Sequence, residues 1–523
     1  MVAATFELMV DWNANGTFGD ANEDITADVL RMEWQGGRDY NSALTGRSRG
    51  SRLLVNLDNH TNSGKYNSFN ASSPIYGNIL PGRKARLRAT DGTGTEVQFT
   101  GFLDRINPQI SVGAARVALL EIVGPLVFLG QAWNELFLQM VTNELTGTVA
   151  NALLDMVSWP AGDRDVDPGK STIKRRRFGT PQGKVSMLDS LHRVEETENG
   201  FLHESKDGKV ILEDRDRRLK SPYTTSQVTL SDAPGAGEIV YSKIIQSDPL
   251  KQIFNYFEVG IQQYVVGAPE VIWTLSESGA SSPLLVPTQT GLYVATFLED
   301  EDVAVGVDAW TTPVATTDYT ANSAANGSGT DLTGSIGVVV TKLANRMLIE
   351  LTNNHASLGA YITLLQARGT KITRQNVVKV PISKQHEAAQ ALSITKYGKR
   401  VWTVPAELVG DTAEGAKHVD WLFTQYSEPK PGVSVTIFAN RDATHLSHVL
   451  RRKVSDRITI EASGANTQLG INQDFYIEAI HHVVDEQHNH YVTWDCSGIP
   501  GTGGFPFWAL GISKLGTQTA LHY

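Results

Sequence analysis

The sequence predicts a mainly β protein with a few helices, an α+β fold, from three observations. Short runs of alternating polarity fill Thr5 to Val123, and Gly267 to Val380 shifts to Thr, Ser, Ala, Gly and Val with almost no helical period. Three stretches carry an apolar stripe at three- and four-residue spacing. At 523 residues the chain exceeds one ordinary core and should divide into three or four domains. With 41% hydrophobic and 20% charged residues it has the composition of a folded globular protein, not a disordered one.

The first strands are expected at Phe6 to Val10, Arg52 to Leu57, Lys84 to Ala89, Glu96 to Phe102 and Ala115 to Val123, separated by Gly, Asn and Asp turns. Many short strands at this spacing form a sandwich or barrel. Leu145 to Trp159 places Val149, Leu153, Leu154 and Val157 at helical spacing and stops at Pro160, which cannot continue the ladder. The following segment to Thr180 is polar and holds the basic run Lys174 to Arg177, read as a solvated loop, with contact to DNA or to an acidic partner as the alternative. A second helix follows at Val185, with Met187, Leu188, Leu191 and Val194 on one side and Asn199-Gly200 as its left-handed stop. Asp207-Gly208 then suits a two-residue hairpin turn between alternating flanks.

A long alternating strand ends at Tyr264, just before the compositional shift at Gly267, which reads as an inserted β-sandwich. Its expected partners lie beyond the insert, at Val433 to Phe438 and Arg457 to Glu461, making a second barrel discontinuous in sequence. The helix from Gly410 to Tyr426 should cap that barrel, and Phe475 to Val484 with Tyr491 to Cys496 should form a hairpin. The expected domains are therefore 1–130, 131–225, 226–266 with 381–523, and the insert 267–380. The Gly- and aromatic-rich end around Phe505, Phe507 and Trp508 suggests burial against a neighbour.

The run from Val185 to Tyr264 resembles the hub proteins of long-tailed bacteriophage tails. So do L-M-V-D-W-N-A-N-G-T-F near the N-terminus, G-F-L-D-R-I at Gly101, A-Y-I-T-L-L-Q-A-R-G at Ala360 and F-W-A-L-G-I-S-K-L-G-T-Q-T-A-L at the C-terminus. The resemblance implies two tail-tube-like β-barrel domains per chain and a homotrimeric ring at the distal end of the tail, made in the host bacterial cytoplasm. Its implied partners are distal-tail or tail-tube proteins, a tape-measure protein, tail fibre or spike proteins, and DNA in transit during genome ejection. A formal charge of -10 argues against gripping phosphates and is compatible with a bore through which DNA slides.

No secretory signal begins the chain, and no apolar run approaches the roughly 20 residues that span a bilayer. A single cysteine, Cys496, cannot form an intrachain disulfide and reads as a small buried hydrophobe. Asp11-x-Asn13-x-Asn15-Gly16, with Asp20 beyond, matches the first half of a calcium loop, where alternate oxygens converge on a hard cation. Asn22 stands where a bidentate Glu belongs, and a turn rich in Asn and Asp explains the same letters without metal. Apart from that candidate no cofactor is expected. His481, His482, His488 and His490 crowd one hairpin but lack the further ligands of a transition-metal site.

Acidic pairs such as Glu195-Glu196 and the run Glu299 to Asp302 read as solvated faces. With no nucleophile elbow, no H-E-x-x-H and no P-loop, the expectation is a structural rather than enzymatic protein. Two alternatives have distinct signatures. Trp273, Tyr293, Trp310 and Tyr319 could stack on host glycans if exposed on the insert, making it an adhesin, and a cell-wall hydrolase would release soluble peptidoglycan fragments.

Overall fold

The computed structural model describes residues 2–38, 48, 50–110, 116–134, 143–173, 185–247, 252–276, 281–297, 304–343, 346–405, 408–409, 411–428, 432–464 and 467–499. The expected C-terminal aromatic segment, the basic run Lys174 to Arg177 and the acidic run Glu299 to Asp302 lie outside them.

Six strands build a first lobe: β1 (Thr5–Val10), β2 (Val29–Gly37), β3 (Arg52–Asp58), β4 (Lys84–Thr90), β5 (Thr95–Ile110) and β6 (Arg116–Val123). Alternation places Leu53, Val55 and Leu57 of β3 and Ala85, Leu87 and Ala89 of β4 on one buried face, while Leu54, Asn56, Arg86 and Arg88 between them turn to the half-buried opposite face. Their spatial order is β2-β3-β6-β5-β4-β1. The connection from β3 to β4 folds back so that Tyr66 and Ile75 fill the lobe's core.

A second lobe uses β7 (Thr229–Ser231), β8 (Lys243–Ser247), β11 (Gly432–Phe438), β12 (Arg457–Ala462), β13 (Ile471–Val484) and β14 (His490–Gly498). Between β8 and β11 lie two long strands of another sheet, β9 (Tyr256–Thr274) and β10 (Ala360–Val380). The spatial order in this lobe is β8-β11-β14-β13-β12-β7. Here a helix at Ala443–Arg451 connects the third strand to the fourth and buries Leu446, Val449 and Leu450 against the sheet.

Numbered by order of appearance within each lobe, both arrangements are second, third, sixth, fifth, fourth, first. The agreement reaches single residues. In lobe one Leu53 pairs with Ile122 and Ile122 with Leu103; in lobe two Val433 pairs with Cys496 and Cys496 with Ile477. The register then shifts at the same point, between Leu103 and Arg105 in one lobe and between Ile477 and Ala479 in the other. Just before the fourth strand the amides of Gly82 and Ser455, both with φ between +70° and +85°, donate to Leu103 and Ile477 carbonyls respectively. The lobes differ in the first strand, which pairs antiparallel with the fourth in lobe one and parallel in lobe two. The two barrels expected from the resemblance are thus two lobes of one twelve-stranded sheet, joined where β2 pairs with β13.

Between the lobes in sequence lies a mixed unit. The helices Pro125–Gln131 (α1), Thr146–Met156 (α2) and Met187–Glu198 (α3) pack with the hairpin Phe201–Glu204 and Val210–Glu213 around Leu153, Leu154, Leu191, Val194 and Leu212. Ser186 caps α3 by accepting from the Asp189 amide, and Asn199 ends it at φ 53°.

Two expectations are corrected. The strand that ends the alternating run at Tyr264 does not pair with Val433–Phe438 or Arg457–Glu461. It is part of β9, which continues unbroken past 266 to Thr274 and pairs antiparallel with β10 and parallel with Val401–Pro405. Residues flanking the insert pair with each other because the insert brings them together, whereas the lobe-two strands complete their own sheet with β7 and β8. Likewise the helix Thr412–Tyr426 does not cap the second lobe. Its Val419, Leu422 and Phe423 cover Phe257, Val259 and Ile261 of β9, and the lobe's own cover is Ala443–Arg451. Beyond this root, β9 and β10 run into the insert, whose separate core includes Trp310, Tyr319, Met347 and Ile349.

Leu446 has no exposed surface in the lobe-two core. Leu446→Ala should therefore cost about 2–5 kcal/mol, read as a lower denaturation midpoint with an unchanged m-value.

Candidate functional site: the joint between the lobes

At the joint, Met32 to Gly37 of β2 lie antiparallel to Val484 to Ala479 of β13. Gly37 is obligatory. Its φ is +109°, and an added Cβ would stand 2.2 Å from the Glu478 carbonyl oxygen and 2.6 Å from the Ala479 Cα, so the strands could not approach.

Alternation turns Trp34 and His482, directly opposite each other, to the same buried face. Their rings stack with centroids 4.3 Å apart and planes 8° from parallel. The His482 Nδ1 lies 3.0 Å from the His490 Nε2 on β14, and Phe6 meets Trp34 and His490 edge-on. Burial, and for His482 the neighbouring His490, depresses both imidazoles: His490 to about 3 and His482 well below its ordinary value. The pair is therefore neutral, one ring donating to the other. His481 and His488, the other two histidines of this hairpin, face outward.

On the neighbouring position of β13 sits Glu478, buried at the register shift where a bulge re-aims a side chain. Its Oε2 accepts from Arg38 Nε at 2.7 Å, while Arg218 of the mixed unit binds both oxygens at 2.7 and 2.9 Å. Burial alone would raise this carboxyl. The fields and hydrogen bonds of Arg218 and Arg38 reverse that and hold it well below the usual carboxylate range. Both guanidiniums also lie over the Phe201 ring, at 4.6 and 5.4 Å from its centroid. Ser455 donates to Glu213 at 2.7 Å and accepts from Arg218 at 3.1 Å, extending the network into the hairpin of the mixed unit.

The residues singled out for calcium do converge. Asn13 and Asn15 donate through their side-chain amides to the same Asp20 Oδ2, at 2.7 and 2.6 Å. Asp11 accepts from the Asn15 and Gly16 amides, and Glu23 accepts from those of Gly19 and Asp20. These bonds are those of an Asn- and Asp-rich turn. Among the described residues no group of three or more His, Cys, Asp or Glu side chains is arranged to hold a metal. The aromatic residues considered for glycan stacking do not form a platform: Trp310 and Tyr319 are buried in the insert core, with Trp273 and Tyr293 packed against it. Cys496 is buried, and burial pushes its thiol far up, which removes it as a nucleophile at neutral pH.

What sequence reasoning missed is the joint itself. Trp34, Arg38, Arg218 and Glu478 are scattered over the chain, and no local motif connects them. Removing the central carboxylate with Glu478→Ala leaves two half-buried guanidiniums facing each other and should cost up to about 3–5 kcal/mol in thermal or denaturant unfolding. The histidine pair gives a pH signature. An unfolded imidazole takes up its proton near about pH 6.5, so below that value the unfolded chain binds more protons than the native one. Stability should fall as pH drops from there toward the depressed native values, by up to about 1.4 kcal/mol per unit for each imidazole. His490→Phe should flatten this slope above about pH 5, where carboxylates contribute little; an unchanged slope assigns the effect to other groups.

No protein-family model matches the chain. No curated protein matches it either. Among solved structures it is similar to the tail protein from Neisseria meningitidis MC58, at 10% identity and a TM-score of 0.46 over 95% of this chain and 96% of that one. It is also similar to the 43 kDa tail protein of prophage MuSo2 from Shewanella oneidensis, at 10% identity and a TM-score of 0.44 over 94% and 97% of the two chains. A third is the prophage tail protein gp18 from Listeria monocytogenes EGD-e, at 7% identity and a TM-score of 0.40 over 94% of each chain.

Proposed function

We propose that this chain is a structural subunit of a bacteriophage tail hub, three copies of which close a ring at the distal end of the tail tube. The observation that carries this reading is the six-strand order found twice in one chain, with the same register shift and the same left-handed residue before the fourth strand. Three such chains present six alike lobes, which lets a threefold ring meet a sixfold tube with an equivalent surface at every contact. In this role one face of the ring receives distal-tail or tube protein, and the bore passes tape-measure protein and DNA. Fibre or spike proteins attach through the insert or the C-terminal segment, serving host attachment and genome ejection.

A net charge of -10 supports passage of DNA rather than capture, because capture requires a basic surface that neutralises phosphates. Glycan binding by the insert draws no support from Trp310 or Tyr319, which are buried. The joint between the lobes is filled by packed rings and a closed ion network rather than by a nucleophile and base held across a cleft, which favours assembly over turnover.

Imaging native particles that carry a label on this chain tests the proposal. Signal confined to the tail end opposite the head, with three copies per ring, is expected. Signal along the tube or at the portal overturns the placement.

A further inference from the structure

The joint between the lobes supplies a template for contacts between copies. Within the chain, β13 offers one edge to two partners placed end to end: β12 covers Ile471 to Tyr476, and β2 covers Ala479 to Val484 on that same edge, opposite β14. In lobe one the corresponding strand is β5. Its first half, Thr95 to Phe102, is covered by β4, and its second half pairs with β6. On the β4 side, Arg105 to Ile110 have no strand beside them among the described residues, and Arg105, Asn107, Pro108 and Gln109 are exposed. The counterpart of β2 in lobe two is β8. Among the described residues it pairs with β11 alone and ends the sheet, with Ile245 51% exposed.

We propose that β8 of one copy adds to the open edge of β5 in the next copy, repeating between chains the joint that β2 and β13 make within one. The register follows from the repeat. Leu54, which faces Glu33, corresponds to Ser434, which faces Ile245, and Glu33 faces Val483, which corresponds to Gln109. Ile245 therefore stands opposite Gln109, and by the same steps Ile244 stands opposite Ile110. Edges that no described strand covers are templates for further pairing, and a matching edge on a second copy covers both at once. Pro108 lacks an N–H, so this ladder carries at most one bond fewer than the one it copies. Because the two edges are different surfaces, the contact is head-to-tail and generates a ring when it closes. This rests on the hub reading for the number of copies, while the strand register rests on the internal repeat alone.

Cysteine pairs in assembled particles test the register. The double variant Gln109→Cys with Ile245→Cys should lose its monomer band under non-reducing conditions and run as covalent dimers and trimers that collapse on reduction. Both positions are exposed, so an unchanged thermal midpoint of the reduced protein checks the fold. The native Cys496 is buried and does not compete. Gln109→Cys with Ile244→Cys places the thiols on opposite faces of the ladder and should remain monomeric. Trimeric rings at the tail end that crosslink at neither pair overturn this joint and leave the hub reading standing, whereas absence of the chain from the tail end overturns that reading instead. Crosslinking of the offset pair in place of the first overturns the register.

Discussion

A carboxylate with no path to water, Glu478, fixes how three parts of this protein meet. Arg38 reaches it from the end of β2 and Arg218 from the mixed unit, while Glu478 itself belongs to β13. Burying a carboxylate is expensive, and its attraction to two half-buried guanidiniums recovers the cost only when every oxygen and nitrogen is placed. The network therefore contributes less to bare stability than to geometry: docking the mixed unit or β2 a few ångströms away would strand a charge. Gly37 adds a steric demand at the same point, since the strand can reach Arg38's position only by passing within contact of the Glu478 and Ala479 backbone. The bulge that turns Glu478 inward recurs in lobe one, where it presents Asp104, half-exposed and 3.9 Å from Arg105. One backbone irregularity thus serves a buried clasp in one lobe and a solvated pair in the other.

The repeat survives because it is written in backbone terms. Leu53 corresponds to Val433, Ile122 to Cys496 and Leu103 to Ile477, sharing only an apolar character that any sandwich supplies. Gly82 and Ser455 share a left-handed conformation rather than a side chain. Each lobe closes its core with whatever the connection from third to fourth strand provides, a loop carrying Tyr66 and Ile75 in one and a helix carrying Leu446 and Val449 in the other. Sheet order and register constrain hydrogen bonds, and hydrogen bonds are indifferent to side-chain identity so long as the buried face stays apolar.

Those terms also explain how much was legible in the sequence. Strands β3 and β4 alternate in burial from end to end, and α3 carries both its apolar stripe and its Asn-Gly stop, so each could be read locally. Three other strands, β2, β7 and β8, could not. β7 and β8 have three and five residues and exist because β12 and β11 pair with them, and β2 hides its two inward residues, Met32 and Trp34, among charged and small neighbours. Of the last hairpin's four histidines, His481, His482 and His490 lie in strands and His488 in the turn, but Trp34, which stacks on His482, lies some 450 positions away in sequence and no spacing argument can find it. Long-range strand pairing also misled the placement of β9, whose alternation says that it is half-buried without saying against what.

The insert sits where the fold can tolerate it. It lies between the second and third strands of lobe two, a connection that in lobe one takes only the residues from Arg38 to Ser51. Adding length to a connection costs closure entropy that grows only logarithmically, provided the ends still meet. Here β9 and β10 make them meet: their paired stem draws the two ends of the inserted chain together, and the helix Thr412–Tyr426 covers the apolar root of the stem. Among the described residues, the insert's own core shares no residue with the cores of either lobe. A change inside that core therefore perturbs the sandwich and leaves the joint untouched, so the sandwich can vary while the pairing of β2 with β13 stays fixed.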